Sequence, residues 1–250
     1  MPTFPTPEPI TAAIEVVSGS VNVVASDRDD TVVSVRPRDP NRASDIRIAE
    51  GARIEFRNGT LDVSAGRRFI SLGRGGAVVI DIELPSCSRL QVSSASADVR
   101  AGGAFGDCRF ATASGDATVD TVAGNIKADS ASGDVSVSEL TGDIKFRAAS
   151  GSLTVKQLNG TVNAQTASGD ATVAAASSGG VSVQTASGDV EIGIPEGTAA
   201  RLDVRTHSGE VRNTLEAAAG PTDGDETLTV HVRTASGDIR VQRATAGVAG

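Results

Sequence analysis

The chain has 250 residues and a formal net charge of −8, with no Trp, no Tyr, six Phe and 28 Gly. An interior made from Val, Ala, Ile and Leu is thin and rich in turns, and the acidic balance gives no general attraction to nucleic acid or anionic lipid. Aromatic platforms for single-stranded nucleic acid are missing, and Cys87 and Cys108 are too few for a disulfide framework and read as free thiols.

Residues 1–9, "MPTFPTPEP", carry no regular pattern and read as a disordered tail. They lack the basic and apolar regions of a secretory leader. No run approaches the ~20 apolar residues of a membrane helix, so direct membrane insertion is not expected. The chain as written reads as cytoplasmic, with attachment to the cell surface through a partner as the alternative. From 10 to 90 the pattern is strand-rich. "SVNVVASDRDDTVVSVRPR" forms two strands around an acidic turn, and "ARIEFRNGTLDVSA" forms a hairpin with Asn58-Gly59 at its tip. The loop 65–77 holds Arg67, Arg68 and Arg74; without a strand–loop–helix context it carries no phosphate-binding signature. "AVVIDIELP" follows, and this 10–90 portion is expected to be an irregular cap continuous with a repeat region spanning 91–243.

Gly recurs every nine residues from Gly106 through Gly115, Gly124, Gly133, Gly142, Gly151 and Gly160 to Gly169. Alternate units carry Ala-Ser-Gly, so the full period is 18, stretching later to Gly188, Gly209 and Gly237. The second and fourth residues after each Gly are apolar (Ala117 and Val119, Ile126 and Ala128, Val135 and Val137), while the third and fifth are mostly polar (Lys127 and Asp129, Lys145 and Arg147). Such alternation describes a strand with one face in the core. Nine residues are too few for a strand, a helix and a return. The spacing predicts an all-β, single-chain parallel β-solenoid (β-helix or β-roll) with 18-residue coils made of two nine-residue strand-turn units, the strands stacked about 4.8 Å apart. An antiparallel meander would not require identity at 18 residues. Ala131, Ala149 and Ala167 are expected to pack inside the corner. "IELPSCSRLQVSSASADV" from Ile82 has an echo in "IGIPEGTAARLDVRTHSGEV" from Ile192. A polar loop at 213–226 and a frayed tail at 244–250 complete the chain.

Three chemistries compete for Ser-Gly-Asp. A serine nucleophile needs a base, and the only histidines, His207 and His231, lie outside the regular units. Calcium is the second: Asp116, Asp134, Asp170 and Asp189 would stack, with Ser152 between them and a mixed opposite corner of Asp107, Asn125, Asp143 and Thr161. The Gly-rich ligand loop of calcium-loaded nonapeptide repeats is absent, however. The third reading is structural: Gly supplies the backbone geometry, and Ser and Asp accept hydrogen bonds from turn N–H groups. It accounts for every copy. No catalytic, cofactor or metal residue is therefore assigned.

With "VVIDIELP…LQV", repeated "ASGDV", "HSGEVRN" and closing "VRTASGDIRV", the chain resembles a bacterial β-strand-repeat family of unknown function labelled putative adhesins. The resemblance runs from about Ile14 to Val241. It implies a β-solenoid or roll and brings no catalytic residues. The expected function is a non-enzymatic interaction or scaffold module binding an unidentified protein or surface polysaccharide through its outward polar positions. The alternatives are a polysaccharide-active β-helix enzyme and a calcium-binding β-roll.

Overall fold

A computed structural model describes residues 1–66, 75–215 and 227–244. Loop residues 67–74, including Arg67, Arg68 and Arg74, most of the 213–226 loop and the tail beyond Ala244 lie outside the described residues. Among the described residues the fold is all-β apart from one helix. In chain order the elements are β1 (Thr3–Pro5), β2 (Thr11–Ser26), β3 (Asp30–Pro37), α1 (Ala43–Glu50), β4 (Arg53–Arg57), β5 (Thr60–Ala65), β6 (Val78–Pro85), β7 (Arg89–Phe105) and β8 (Cys108–Thr112). There follow β9 (Ala117–Ala123), β10 (Ile126–Ser130), β11 (Val135–Ser150), β12 (Leu153–Ser168), β13 (Ala171–Ser187), β14 (Val190–Ile194), β15 (Ala199–Ser208), β16 (Val211–Asn213), β17 (Thr227–Ser236) and β18 (Ile239–Arg243).

The repeat strands pair in parallel. Val135 lies beside Leu153 and Ile144 beside Val162, and the same 18-residue step links Ile126 to Ile144 and Ala117 to Val135. Each long strand turns a corner at its middle, so one rung contributes a segment to each of two faces. The first face stacks β8, β10 and the later halves of β11, β12 and β13; the second stacks β9 and their earlier halves. Antiparallel pairing among the described residues is confined to the N-terminal end, at β1–β3, β3–β6 and β4–β5. The hairpin β4–β5 turns at Asn58 (φ 51°) and Gly59 (φ 73°), the left-handed pair that matches strand twist in a two-residue loop.

The second and fourth positions after each repeat Gly from Gly106 to Gly188, and after Gly237, are buried, whereas Val211 and Asn213, after Gly209, are exposed. Size alternates along one inner row, where Phe110 lies beside Ala128, Ala128 beside Phe146 and Phe146 beside Ala164. Large and small side chains on successive rungs, Phe against Ala, fill the thin interior. Ala131, Ala149 and Ala167 are exposed. The alternation shifts by one residue at the Ser-Gly corner, so the Ala expected inside faces water.

At both ends the spatial order of rungs departs from chain order. The first half of β2 lies between β5 and β7, and its second half lies between β6 and β7. The chain therefore steps over β2 in passing from β6 to β7. At the other end β17 sits between β13 and β15, and β18 between β14 and β16, so the passage from β14 to β15 steps over the last rung. The two echoed segments are these two steps. Both use a Pro-initiated turn with a left-handed third residue, Cys87 (φ 61°) in one and Gly197 (φ 83°) in the other, followed by the buried hydroxyl of Ser88 or Thr198. Ser88 Oγ donates to Pro85 O at 2.6 Å and accepts from Ile10 N at 3.0 Å, tying the step to the rung beneath it.

Residues 1–9 do not form the disordered tail expected from their composition. β1 pairs with β3, the Phe4 and Phe56 ring centroids are 5.5 Å apart, and buried Thr6 and Thr31 share a hydroxyl hydrogen bond of 2.7 Å. Two Phe and a polar pair offset the ordering entropy that composition alone leaves unopposed. The segment Thr11–Ser26, expected in the cap, forms a regular rung; the irregular elements are β1, β3, α1 and β4. Helix α1 is anchored by Asp45, 1% exposed, whose carboxylate accepts from Ala77 N and Asp39 N, both at 3.2 Å. No helix among the described residues is long and apolar enough to cross a membrane.

Candidate functional site

The Ser-Gly-Asp corner is occupied by its own architecture. Asp134 N donates to Asp116 Oδ1 at 2.9 Å, Ser152 N to Asp134 Oδ1 at 2.7 Å, Asp170 N to Ser152 Oγ at 3.2 Å and Asp189 N to Asp170 Oδ1 at 2.8 Å. The ladder follows the spatial order of rungs, continuing from Asp189 to Asp238 N and from Asp238 to Glu210 N, both at 2.8 Å. Each carboxylate thus accepts a backbone N–H of the next rung, a charge-assisted bond that opposes the repulsion of stacked acids. Among the described residues no group of three or more His, Cys, Asp or Glu gathers as a metal cage.

The serine has a different role from the one expected. Gly115 N is accepted by Thr112 Oγ1 at 2.9 Å and Gly133 N by Ser130 Oγ at 2.6 Å. The turn is closed by the hydroxyl three residues before Gly. The motif serines Ser114 and Ser132 are exposed and reach only Ala95 O and Ala113 O, both at 3.4 Å. Glycine is required by contact: an ideal Cβ on Gly133 would lie 2.2 Å from Gly115 O, and one on Gly151 would lie 2.4 Å from Gly133 O.

His231 Nδ1 lies 3.0 Å from Asp203 Oδ2 on the outer surface of the first face. Neither it nor exposed His207 is hydrogen-bonded to a serine among the described residues. Burial, with help from the Asp107 charge, pushes the Cys108 thiol up to about 12, which keeps it protonated and inert; Cys87 is exposed.

The two polar faces differ. On the second, Thr118, Ser136, Thr154 and Thr172 form a hydroxyl row. On the first, Gln91, Arg109, Lys127, Lys145 and Asn163 occupy one row on five successive rungs, with three cations adjacent in the middle. Beside them run Asp107, Asn125, Asp143 and Thr161, and the two rows line an open groove of ≈ 710 Å³. Lys127 is 3.6 Å from Asp129, and Arg89, at the groove's end, is 3.5 Å from Asp107. Arg109 and Lys145 form no ion pair among the described residues. Unit charges one rung (~4.8 Å) apart repel by about 0.9 kcal/mol in water before salt screening. The corner acids have backbone donors to oppose that repulsion, whereas in this cation row only Lys127 has an ion-pair partner among the described residues. Its sequence signal is a basic residue at the third position after Gly106, Gly124 and Gly142; alternation alone marks these positions only as polar.

Parallel rungs with a two-faced thin core and self-satisfied Gly-Asp corners define an all-β repeat protein. The chain belongs to the Toastrack family, DUF4097, whose model matches residues 11–245. Among solved structures it is similar to a protein of Bacteroides fragilis described as a putative adhesin, at 12% identity and a TM-score of 0.56, covering 96% of this chain and 95% of that one. A protein of Clostridium sporogenes described as a putative cell adhesion protein aligns over 97% of this chain and 98% of its own, at 9% identity and a TM-score of 0.28. No curated protein matches the chain.

Proposed function

We propose that the protein is a non-enzymatic interaction module, a parallel β-solenoid whose rungs serve as a rigid support for its outward polar rows. The observation that carries this reading is the contrast between corner and face. The Asp carboxylates of the Ser-Gly-Asp corner, which first suggest chemistry, are used by backbone N–H groups of neighbouring rungs, whereas Arg109 and Lys145 on the first face have no ion-pair partner among the described residues. Side chains held in fixed register on a rigid sheet are pre-ordered for binding. The description of the Bacteroides fragilis protein as a putative adhesin agrees with an interaction role.

The test is binding of the labelled protein to intact bacterial cells and to isolated surface glycan and protein fractions. It compares the parent with one variant carrying Arg109→Ser, Lys127→Ser and Lys145→Ser on the first face, and a second carrying Thr118→Ala and Thr154→Ala on the other. Loss of binding in one face variant with an unchanged melting curve is the expected result. Parent-like binding by both variants refutes a role for these rows. Turnover of a polysaccharide, abolished by changing one Asp and spared by changing its neighbours, would replace the reading with an enzymatic one.

A further inference from the structure

We propose that the groove on the first face binds a linear acidic polysaccharide laid along the stack, its carboxylates on Arg109, Lys127 and Lys145 and its hydroxyls on the Asp107, Asn125, Asp143 and Thr161 row. The inference rests on the interaction-module reading and specifies its ligand class.

Three observations converge. First, the cations stand on consecutive rungs in one register row, so they present positive charge at the rung spacing of about 4.8 Å. Five rungs contribute to the groove, from Arg89 to Thr161 and Asn163, a length of about 19 Å. This suits an extended polymer with recurring anions better than a single small anion. Second, the stacked cations repel one another, and a polyanion is the partner that would remove the cost. The chain as a whole carries −8, so a polyanion gains nothing from the overall field and must be held by local positive charge such as this strip. Third, the adjacent acceptor row is what the hydroxyl groups of a sugar chain need. Exposed Asn125, Asp143 and Thr161 can accept from sugar hydroxyls, which the backbone of DNA does not supply. There is also no Trp or Tyr for base stacking.

The neighbouring rows set the limits of the site. Past Lys145 the row continues as Asn163 and Ser182, and before Arg109 it is Gln91, so the charge of this row is confined to three rungs, and Arg89 at the groove's end is paired with Asp107. On the second face the equivalent row is the hydroxyl series at Thr118, Ser136, Thr154 and Thr172, which supplies an internal control on the same scaffold.

Isothermal titration calorimetry at low salt with polygalacturonate, neutral dextran and a single-stranded DNA oligonucleotide tests the proposal. Polygalacturonate is expected to bind and the other two are not, with affinity falling as salt rises. The double variant Arg109→Gln, Lys145→Gln should weaken polygalacturonate binding about tenfold, two partly solvated ion contacts being lost. Asn163→Lys, which extends the row by one rung, should strengthen it, and Arg100→Gln on the second face should leave it unchanged. Melting curves establish that each variant is folded. No binding of polygalacturonate, equal binding in the double variant, or DNA bound as tightly as the polyuronate overturns the proposal. Equal binding of dextran overturns the acidic ligand while leaving an interaction face. Loss of cell binding in the first-face variant, with no response to polygalacturonate, separates the two in the same way: the ligand class falls and the interaction module stands.

Discussion

Replacing Gly133 by Ala isolates the close contact on which the stack depends. The added methyl would sit 2.2 Å from Gly115 O and 3.0 Å from Gly115 C. Both are main-chain atoms of the preceding rung, so no rotamer change relieves the overlap. The rungs must separate locally by about 1 Å, since Cβ and a carbonyl oxygen need roughly 3.2 Å of clearance. The bonds that hold them at this point are Ser132 N to Ala113 O at 2.8 Å and Asp134 N to Asp116 Oδ1 at 2.9 Å. Losing or stretching two bonds, one of them charge-assisted, removes about 2–3 kcal/mol, and displacing tightly packed Val135 adds about 1 kcal/mol more. A loss of about 3–4 kcal/mol corresponds to a melting point lower by roughly 6–12 °C for a chain of this length. Circular dichroism melts and urea unfolding of parent and variant measure it. A variant melting within about 2 °C of the parent would show that the rungs yield without cost and would refute the contact argument.

Asp134→Asn keeps an oxygen for Ser152 N and removes one charge from the ladder. The variant should melt within about 2 °C of the parent or above it, and calcium or a chelator should leave both curves in place; a calcium-dependent rise in the parent alone would favour a bound cation. At Asp45 burial opposes ionisation, but the N–H groups of Ala77 and Asp39, the Ser44 hydroxyl and Arg42 outweigh it and hold the carboxyl below its usual range. Its stabilisation is therefore complete above the ordinary carboxylate pKa and is lost as pH falls below about 4 through the folded value. Asp45→Ala should cost about 1–3 kcal/mol at neutral pH by leaving buried donors unpaired, and a variant whose acid unfolding midpoint and neutral stability both match the parent would count against this anchor. A thiol reagent should modify exposed Cys87 rapidly in the native protein and reach buried Cys108 only on unfolding; two fast thiols would contradict the burial.

The middle of the stack was legible because it repeats. A nine-residue Gly spacing and strict alternation are local signals, and they place Val135, Val137, Ile144 and Phe146 in the core, as found. The parallel step of 18 between Ile126 and Ile144 is the same information read across rungs. The rung order at the ends was not legible: parallel rungs of similar pattern fit beside one another in more than one order, and only the paired "ELPSCS" and "GIPEGT" stretches mark the two places where the chain skips a rung. Helix α1 leaves no mark in the sequence pattern because eight residues with buried Asp45 and Ile48 give too short a periodic signal. The motif points to Ser132 as the corner hydroxyl, and the acceptor is Ser130, because Ser and Thr flank the Gly on several positions and only geometry distinguishes acceptor from bystander. The cation row could be seen as polar residues at one phase of the repeat; that it borders a groove depends on the backbone path.

The placement of β2 and of β17 with β18 inside the stack has a mechanical consequence. If the polypeptide is pulled from its two ends, short β1, paired among the described residues only with β3, yields first, and load then passes to segments that cannot peel away one hydrogen bond at a time. Thr11–Ser26 is held along both edges, by β5 and β6 on one side and β7 on the other, and Thr227–Arg243 is held between β13 with β14 and β15 with β16. Extracting either means shearing two rows of backbone bonds at once. The chain is built like a cable whose ends are gripped inside the weave, so tension is delivered to its most doubly bonded strands.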